Sequence, residues 1–199
     1  GLSVGQMEML GSGQVGALVT EQVRALSGTQ LGSLSPDSVV EISSWEFVGA
    51  GSDSGYAQRV GGLRSDLIAA LSTTQVSSLT TSQVGVFTSS QLMALTTSQV
   101  VGLGQSQISA LRADGAAGSM FGSYSVLEGF ESEDIAQLKS SQVSALRSEQ
   151  MTWFSTDQIA AISTSAVRGL SSSLIEVLTS HQVAGLTAAQ VGELGSVQI

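Results

Sequence analysis

The stretch Leu79-Thr80-Thr81-Ser82-Gln83-Val84-Gly85-Val86-Phe87-Thr88-Ser89-Ser90-Gln91-Leu92-Met93-Ala94-Leu95-Thr96-Thr97-Ser98-Gln99-Val100 decides the fold, because it repeats itself every eight residues. A large apolar residue opens each unit, a hydroxyl follows it, Gln stands four places on and a second apolar residue five places on. An uninterrupted α-helix turns about 100° per residue, so a period of eight would rotate the Leu stripe by about 80° per unit and leave no lasting buried face. On a strand, the five-residue offset would send Leu and Val to opposite faces, and Ala- and Gln-rich units have poor β-propensity. A string of separate short helices satisfies every position. Thr80 is then the N-cap and Gln83 its N3 partner in a capping box, while Leu79 and Val84 occupy the N′ and N4 positions of a hydrophobic staple. The Leu that closes one helix staples the next.

Outward from this stretch, the opening residues fall at Leu2, Leu10, Leu18, Leu26, Leu34 and Ile42, resume at Leu63 and run to Leu111, then resume at Phe130 and continue to Leu194. Octads therefore occupy residues 2–42, 63–111 and 130–199 of a single repeat domain spanning 1–199. Independent features support the frame. The only proline, Pro36, falls at N1 after Ser35, where its missing N–H and fixed φ cost little. Glu21, Asp37, Asp66, Glu133, Glu149 and Asp157 all fall at N2, near the positive end of a helix dipole, whereas no base occupies N1 to N3. Gly11, Gly104 and Gly195 replace the hydroxyl cap tolerably. Val19, Arg64, Lys139 and Arg147 are departures, at which a boundary is free to slip by one residue. Isolated helices of one or two turns do not survive in water, so stacking must hold them. Small residues before the Leu, such as Ala70, Ala94, Ala145 and Gly185, would let successive helices approach closely. The expected fold is an all-α solenoid, a superhelix of short capped helices with Leu and Val inside. A Gln ladder between helices is conceivable, but the capping role already accounts for the position.

The octad breaks twice, at residues 43–62 and 112–129. Both segments are rich in Gly and Ser and hold Trp45, Phe47, Tyr56, Phe121 and Tyr124, five of the chain's nine aromatics. Insertions in solenoids map to loops on one face and often bind a partner, so these five residues are the expected binding or assembly residues. The competing reading has the aromatics covering exposed core at a bend. Between Ile42 and Leu111 lie one insertion and six octads, a spacing compatible with a whole number of superhelical turns and a common side for the two segments.

Composition restricts the function. An apolar fraction of 42% can bury a continuous core, while charged residues are only 12%, so Ser, Thr, Gln and Gly must build the solvated face. A net charge of −9 and the lack of a basic stripe argue against nucleic acid. No apolar run reaches membrane-spanning length, so no membrane insertion is expected. The chain opens at Gly1 already in the repeat pattern, as a mature or excised segment would. With no cysteine there is no disulfide framework and no thiolate metal site. The single histidine, His181, falls at N2 of an ordinary unit and reads as a surface residue. Glu128, Glu131, Glu133 and Asp134 stand at a helix start, where the dipole alone favours acids, rather than as a glycosidase pair. Gly49, Gly51 and Asp53 match only part of a calcium-binding nonapeptide, and a glycine loop is the simpler reading. No catalytic residue, metal or cofactor is expected, and the chain does not read as an enzyme.

Units such as Leu79-Thr80-Thr81-Ser82-Gln83-Val84 and Leu95-Thr96-Thr97-Ser98-Gln99-Val100 resemble the LTxxQVxxL octads of long repetitive bacterial surface and secreted proteins of the adhesin and RTX type. The resemblance covers about four fifths of the chain and excludes the two insertions. It implies an extracellular or cell-surface bacterial protein. The expected function is structural, forming or decorating a surface layer, sheath or filament by self-association. The alternative is an adhesin that takes a cell-surface peptide, protein or glycan through the aromatic insertions; the monotonous exposed positions favour the first reading.

Overall fold

The computed structural model describes residues 1–42, 63–87, 89–111, 130–195 and 198. In them the chain forms nineteen α-helices of four to six residues: α1 Val4–Glu8, α2 Ser12–Val15, α3 Thr20–Arg24, α4 Gly28–Gly32, α5 Pro36–Val40, α6 Ser65–Ala69, α7 Thr73–Ser78, α8 Thr81–Val84, α9 Ser89–Met93, α10 Thr97–Gly102, α11 Gln105–Ala110, α12 Ser132–Gln137, α13 Ser140–Val143, α14 Ser148–Met151, α15 Thr156–Ala161, α16 Thr164–Val167, α17 Ser172–Glu176, α18 Ser180–Gly185 and α19 Ala188–Glu193. The described residues contain no strand. The expected all-α solenoid is the fold observed.

Each helix starts where the octad frame places it. Thr80 Oγ1 accepts from Gln83 N–H at 3.2 Å and Gln83 Oε1 accepts from Thr80 N–H at 2.8 Å, the reciprocal capping box. Pro36 occupies N1 of α5. The departures at the cap do not shift the boundaries: Val19, Lys139 and Arg147 remain N-caps, because the Gln side chain three residues on still accepts their backbone N–H at 2.7 to 3.0 Å. Only the hydroxyl half of the box depends on the cap residue.

The helices wind three to a turn. Within an uninterrupted run the packed pairs are three places apart: α1 with α4, α2 with α5, α6 with α9, α7 with α10, α8 with α11, α13 with α16 and α15 with α18. Packed helices therefore begin 24 residues apart, as Thr73 and Thr97 do. The N4 residue is the deepest apolar side chain of the central units: Val76, Val84, Leu92, Val100, Ile135, Val143, Met151 and Ile159 are all fully buried, and the opening Leu or Phe lies just outside them, still buried, whereas Val183 and Val191 at N4 of α18 and α19 are exposed. These two rows form one continuous core along the superhelix.

The small residues at the ends of the units act between turns, not between successive helices as the sequence suggests. A Cβ on Gly169 would lie 2.1 Å from the carbonyl oxygen of Ser140, and one on Gly185 would lie 2.5 Å from Thr156 Cγ2, in both cases on the helix one turn earlier. The backbones touch here, and no side chain fits between them.

Two results are expected in thermal melts. Leu95→Asp, which puts a charge on a buried core position, should cost at least about 3 kcal/mol, whereas Ser98→Asp at exposed N2 should stay within about 0.5 kcal/mol; equal effects would reject the staple frame. Gly169→Ala should lower the melting temperature, while Gly13→Ala, where nothing lies within 4 Å, should not.

Candidate functional site

The row of N3 glutamines is the most demanding piece of side-chain chemistry in the structure. Gln75, Gln83, Gln91, Gln99, Gln107, Gln142, Gln150, Gln158, Gln182 and Gln190 are all buried, with at most 6% of their surface exposed. A buried primary amide has one acceptor and two donor hydrogens to satisfy. In Gln99, Oε1 takes the N–H of Thr96 at 2.6 Å, which closes its own helix start. Its Nε2 donates to the carbonyl of Leu71 at 2.6 Å and reaches that of Ile68 at 3.3 Å, the carbonyls at the end of α6. Gln107 does the same to Leu79 and Val76 at 2.8 and 2.9 Å. Gln190 bonds Ile162 and Ile159 at 2.6 and 2.9 Å. One side chain thus caps the start of its own helix and the end of a helix in the preceding turn. The ladder treated as dispensable on sequence grounds is present, and the position is fixed by both roles together.

Sequence carries a signal for this that capping alone leaves unexplained. Glu serves a capping box as well as Gln does, yet among the described helices N3 is Gln in most units and never Glu. Only the amide also donates. Where Gln is missing, the rung is missing or replaced. Ser38 Oγ reaches Leu10 O at 3.4 Å. Leu67, Ala166 and Leu174 carry no polar group. At α6 the Arg64 guanidinium instead donates to Arg24 O at 3.2 Å while it clasps Asp66 through two bonds of 2.9 Å. The hydrogen bond from Arg64 holds the Asp66 carboxyl below its ordinary range. Asp134 is buried at the ladder position of α12, accepts from Glu131 N–H at 3.3 Å and supplies no amide donor.

Rung spacing also measures the two breaks. Gln91, Gln99, Gln107, Gln158, Gln182 and Gln190 reach back 28 residues to the opening residue of an earlier unit. Across residues 43–62 the reach of Gln75 and Gln83 becomes 41, which is 13 more. Across 112–129 the reach of Gln142 and Gln150 becomes 39, which is 11 more. The packed pairs agree: α4 meets α6, α5 meets α7, α10 meets α12 and α11 meets α13, so the winding of the described helices resumes one place further on across each break. The anchors Ile42, Leu63, Leu111 and Phe130 are all buried. The places counted in the two breaks are seven apart on a superhelix of three per turn. This is not the whole number of turns that the spacing in the sequence allowed, while the five aromatics expected on a common side lie outside the described residues.

Trp45, Phe47, Tyr56, Phe121 and Tyr124 lie outside the described residues, as do Gly49, Gly51, Asp53 and Glu128. His181 is exposed at N2 of α18, and Glu131 and Glu133 are exposed while Asp134 is not, so the acids at the start of α12 do not share one environment. Among the described residues no three His, Cys, Asp or Glu side chains come together as a metal site, and no helix is long and apolar enough to cross a membrane. The exposed positions of the units include N1 and N2, where Thr73 and Thr74, Thr81 and Ser82, Ser140 and Ser141, Thr164 and Ser165, and Ser172 and Ser173 form hydroxyl pairs and several other units carry an acid at N2.

The double role of the amide separates from capping by substitution. Gln99→Glu retains the acceptor for Thr96 N–H but sets a carboxylate against the Leu71 carbonyl, and should destabilise by at least about 2 kcal/mol at neutral pH. The deficit should shrink as the pH falls and the introduced carboxyl takes up its proton. A neutral result in denaturant titration would reduce Gln99 to a cap. Conversely, Asp134→Gln supplies an absent rung worth about 1 kcal/mol and should raise the melting temperature by roughly 2–4 °C.

Comparison with known proteins agrees with the repeat. The family model described as the ALTTAQ repeat matches residues 60–97, 128–164 and 156–188. Among curated proteins and among solved structures, none matches the chain. The chain is a repeat-containing protein that is similar to the ALTTAQ repeat over those residues.

Proposed function

We propose that the chain is a structural repeat protein of the bacterial cell surface or extracellular space, which forms or decorates a layer, sheath or filament by self-association through residues 43–62 and 112–129. The observation that carries this reading is the division of labour along the chain. The octads turn their amides and most of their apolar groups inward and present mostly Ser, Thr and acids at N1 and N2 on turn after turn, a surface with little of the variety a specific groove needs. The two breaks depart from that monotony in sequence and hold most of the aromatics, the residue type enriched where one protein surface anchors another. Each is pinned at both ends by buried anchors, so both segments are fastened to a scaffold whose register continues past them. The low charge and hydroxyl-rich exterior suit an extended extracellular assembly, in keeping with the resemblance to repetitive surface and secreted proteins.

The test must preserve the register. Because the spacing counts one place inside each break, residues 43–62 and 112–129 are each replaced by the seven residues that separate successive opening residues, Thr-Thr-Ser-Gln-Val-Ser-Ala. Helical circular dichroism and melting should be retained, and self-association measured by light scattering should be lost. Unchanged association would place the contacts on the repeat faces and overturn the proposal. A monomeric parent chain that binds a glycan or peptide through the same segments would replace it with the adhesin reading.

A further inference from the structure

Among the described residues, the helices of each turn pack on those of the turn before and the turn after. Packed helices lie one turn apart, and the longest side-chain hydrogen bonds among the described residues span 44 residues, those of Gln75 and Gln83 across the first break. A turn by itself is three helices of four to six residues, too short to persist alone. Its stability comes from its two faces. Removing an end turn exposes a new face built like the one just lost, so loss of structure at an end neither requires nor triggers collapse of the whole.

From this we infer a mechanical function: the solenoid is an extensible tether that lengthens under load by releasing one turn at a time. Consecutive turns are connected by a single covalent strand and held together by apolar rows and Gln rungs, so a pull on the two ends loads the interfaces in series. The weakest interface yields first. Rungs are unevenly distributed. Ala166 and Leu174 leave two consecutive helices, α16 and α17, without an amide donor, and near the other end Leu67 supplies none and Ser38 makes only the 3.4 Å contact. Between them Gln75, Gln83, Gln91, Gln99 and Gln107 supply five consecutive rungs from α7 to α11. The interfaces made by α5 and α6 and by α16 and α17 should release at low force and the α7–α11 region last. This inference rests on the fold alone; it stands whether or not the chain self-associates.

The experiment is force spectroscopy on the full chain, held by thiols introduced at its two termini, which are unique because the chain has no cysteine. The expected record is a series of extensions of about 80 Å, the length of 24 extended residues, with longer ones of about 120–130 Å where a released turn carries a break. Gln99→Met should lower the force of the late steps and leave the early ones unchanged. A single event of about 700 Å, the whole chain released at once, would overturn the inference. So would a Gln99→Met record in which every step weakens together, because the turns would then be one cooperative body.

Discussion

A buried carboxamide that must satisfy both of its ends is the constraint on which this architecture depends. Helices of four to six residues leave most of their backbone N–H and C=O groups without intrahelical partners. In a protein with long helices these orphans are few and reach water. Here nearly every residue is close to a helix end, and the ends are packed inside. The N3 glutamine meets the demand at both ends with one side chain: its oxygen accepts the N–H of its own N-cap residue, and its nitrogen donates to the last carbonyls of a helix in the turn before. Thr96 N–H, Gln99 and Leu71 C=O form one such chain. The apolar rows provide the driving force for burial, and the amide makes that burial compatible with such short elements.

Much of this was legible in the sequence because the short helices are specified locally. Leu95, Thr96, Gln99 and Val100 define a staple and a capping box without reference to any other part of the chain, and Pro36 and the acids at N2 fix the phase. The number of helices per superhelical turn was not legible in the same way. Nothing within an octad states that its partner lies 24 residues away, and the small residues before each Leu look like contacts between neighbours in sequence. Gly169 against Ser140 shows that they serve the turn instead. The second role of Gln is conceivable from the sequence but not required by it, because the first role suffices, although the absence of Glu from that position points to the donor. Val19 and Lys139 show the reverse: the cap residue is replaceable because the Gln oxygen holds the boundary without it.

The rungs also change how the two breaks are understood. As sequence they interrupt the repeat. As register they do not, since Gln75 and Gln142 find the carbonyls they would have found in an unbroken run, only 13 and 11 residues further back. The scaffold therefore tolerates added residues at a unit boundary without losing its winding, in keeping with the slow growth of loop-closure cost with length. Because the two places counted within the breaks are seven apart on a three-fold winding, their anchor points face different directions around the axis.

The 28-residue reach of the rung has a consequence for how such a chain is made. A helix end is sealed only when chain roughly one turn beyond it has emerged, so structure trails synthesis by a fixed distance that does not depend on how many units precede it. Contacts stay local however long the array becomes, and local contacts form fast. Units can accordingly be gained or lost in whole octads while the folding of each new turn poses the same problem as the last.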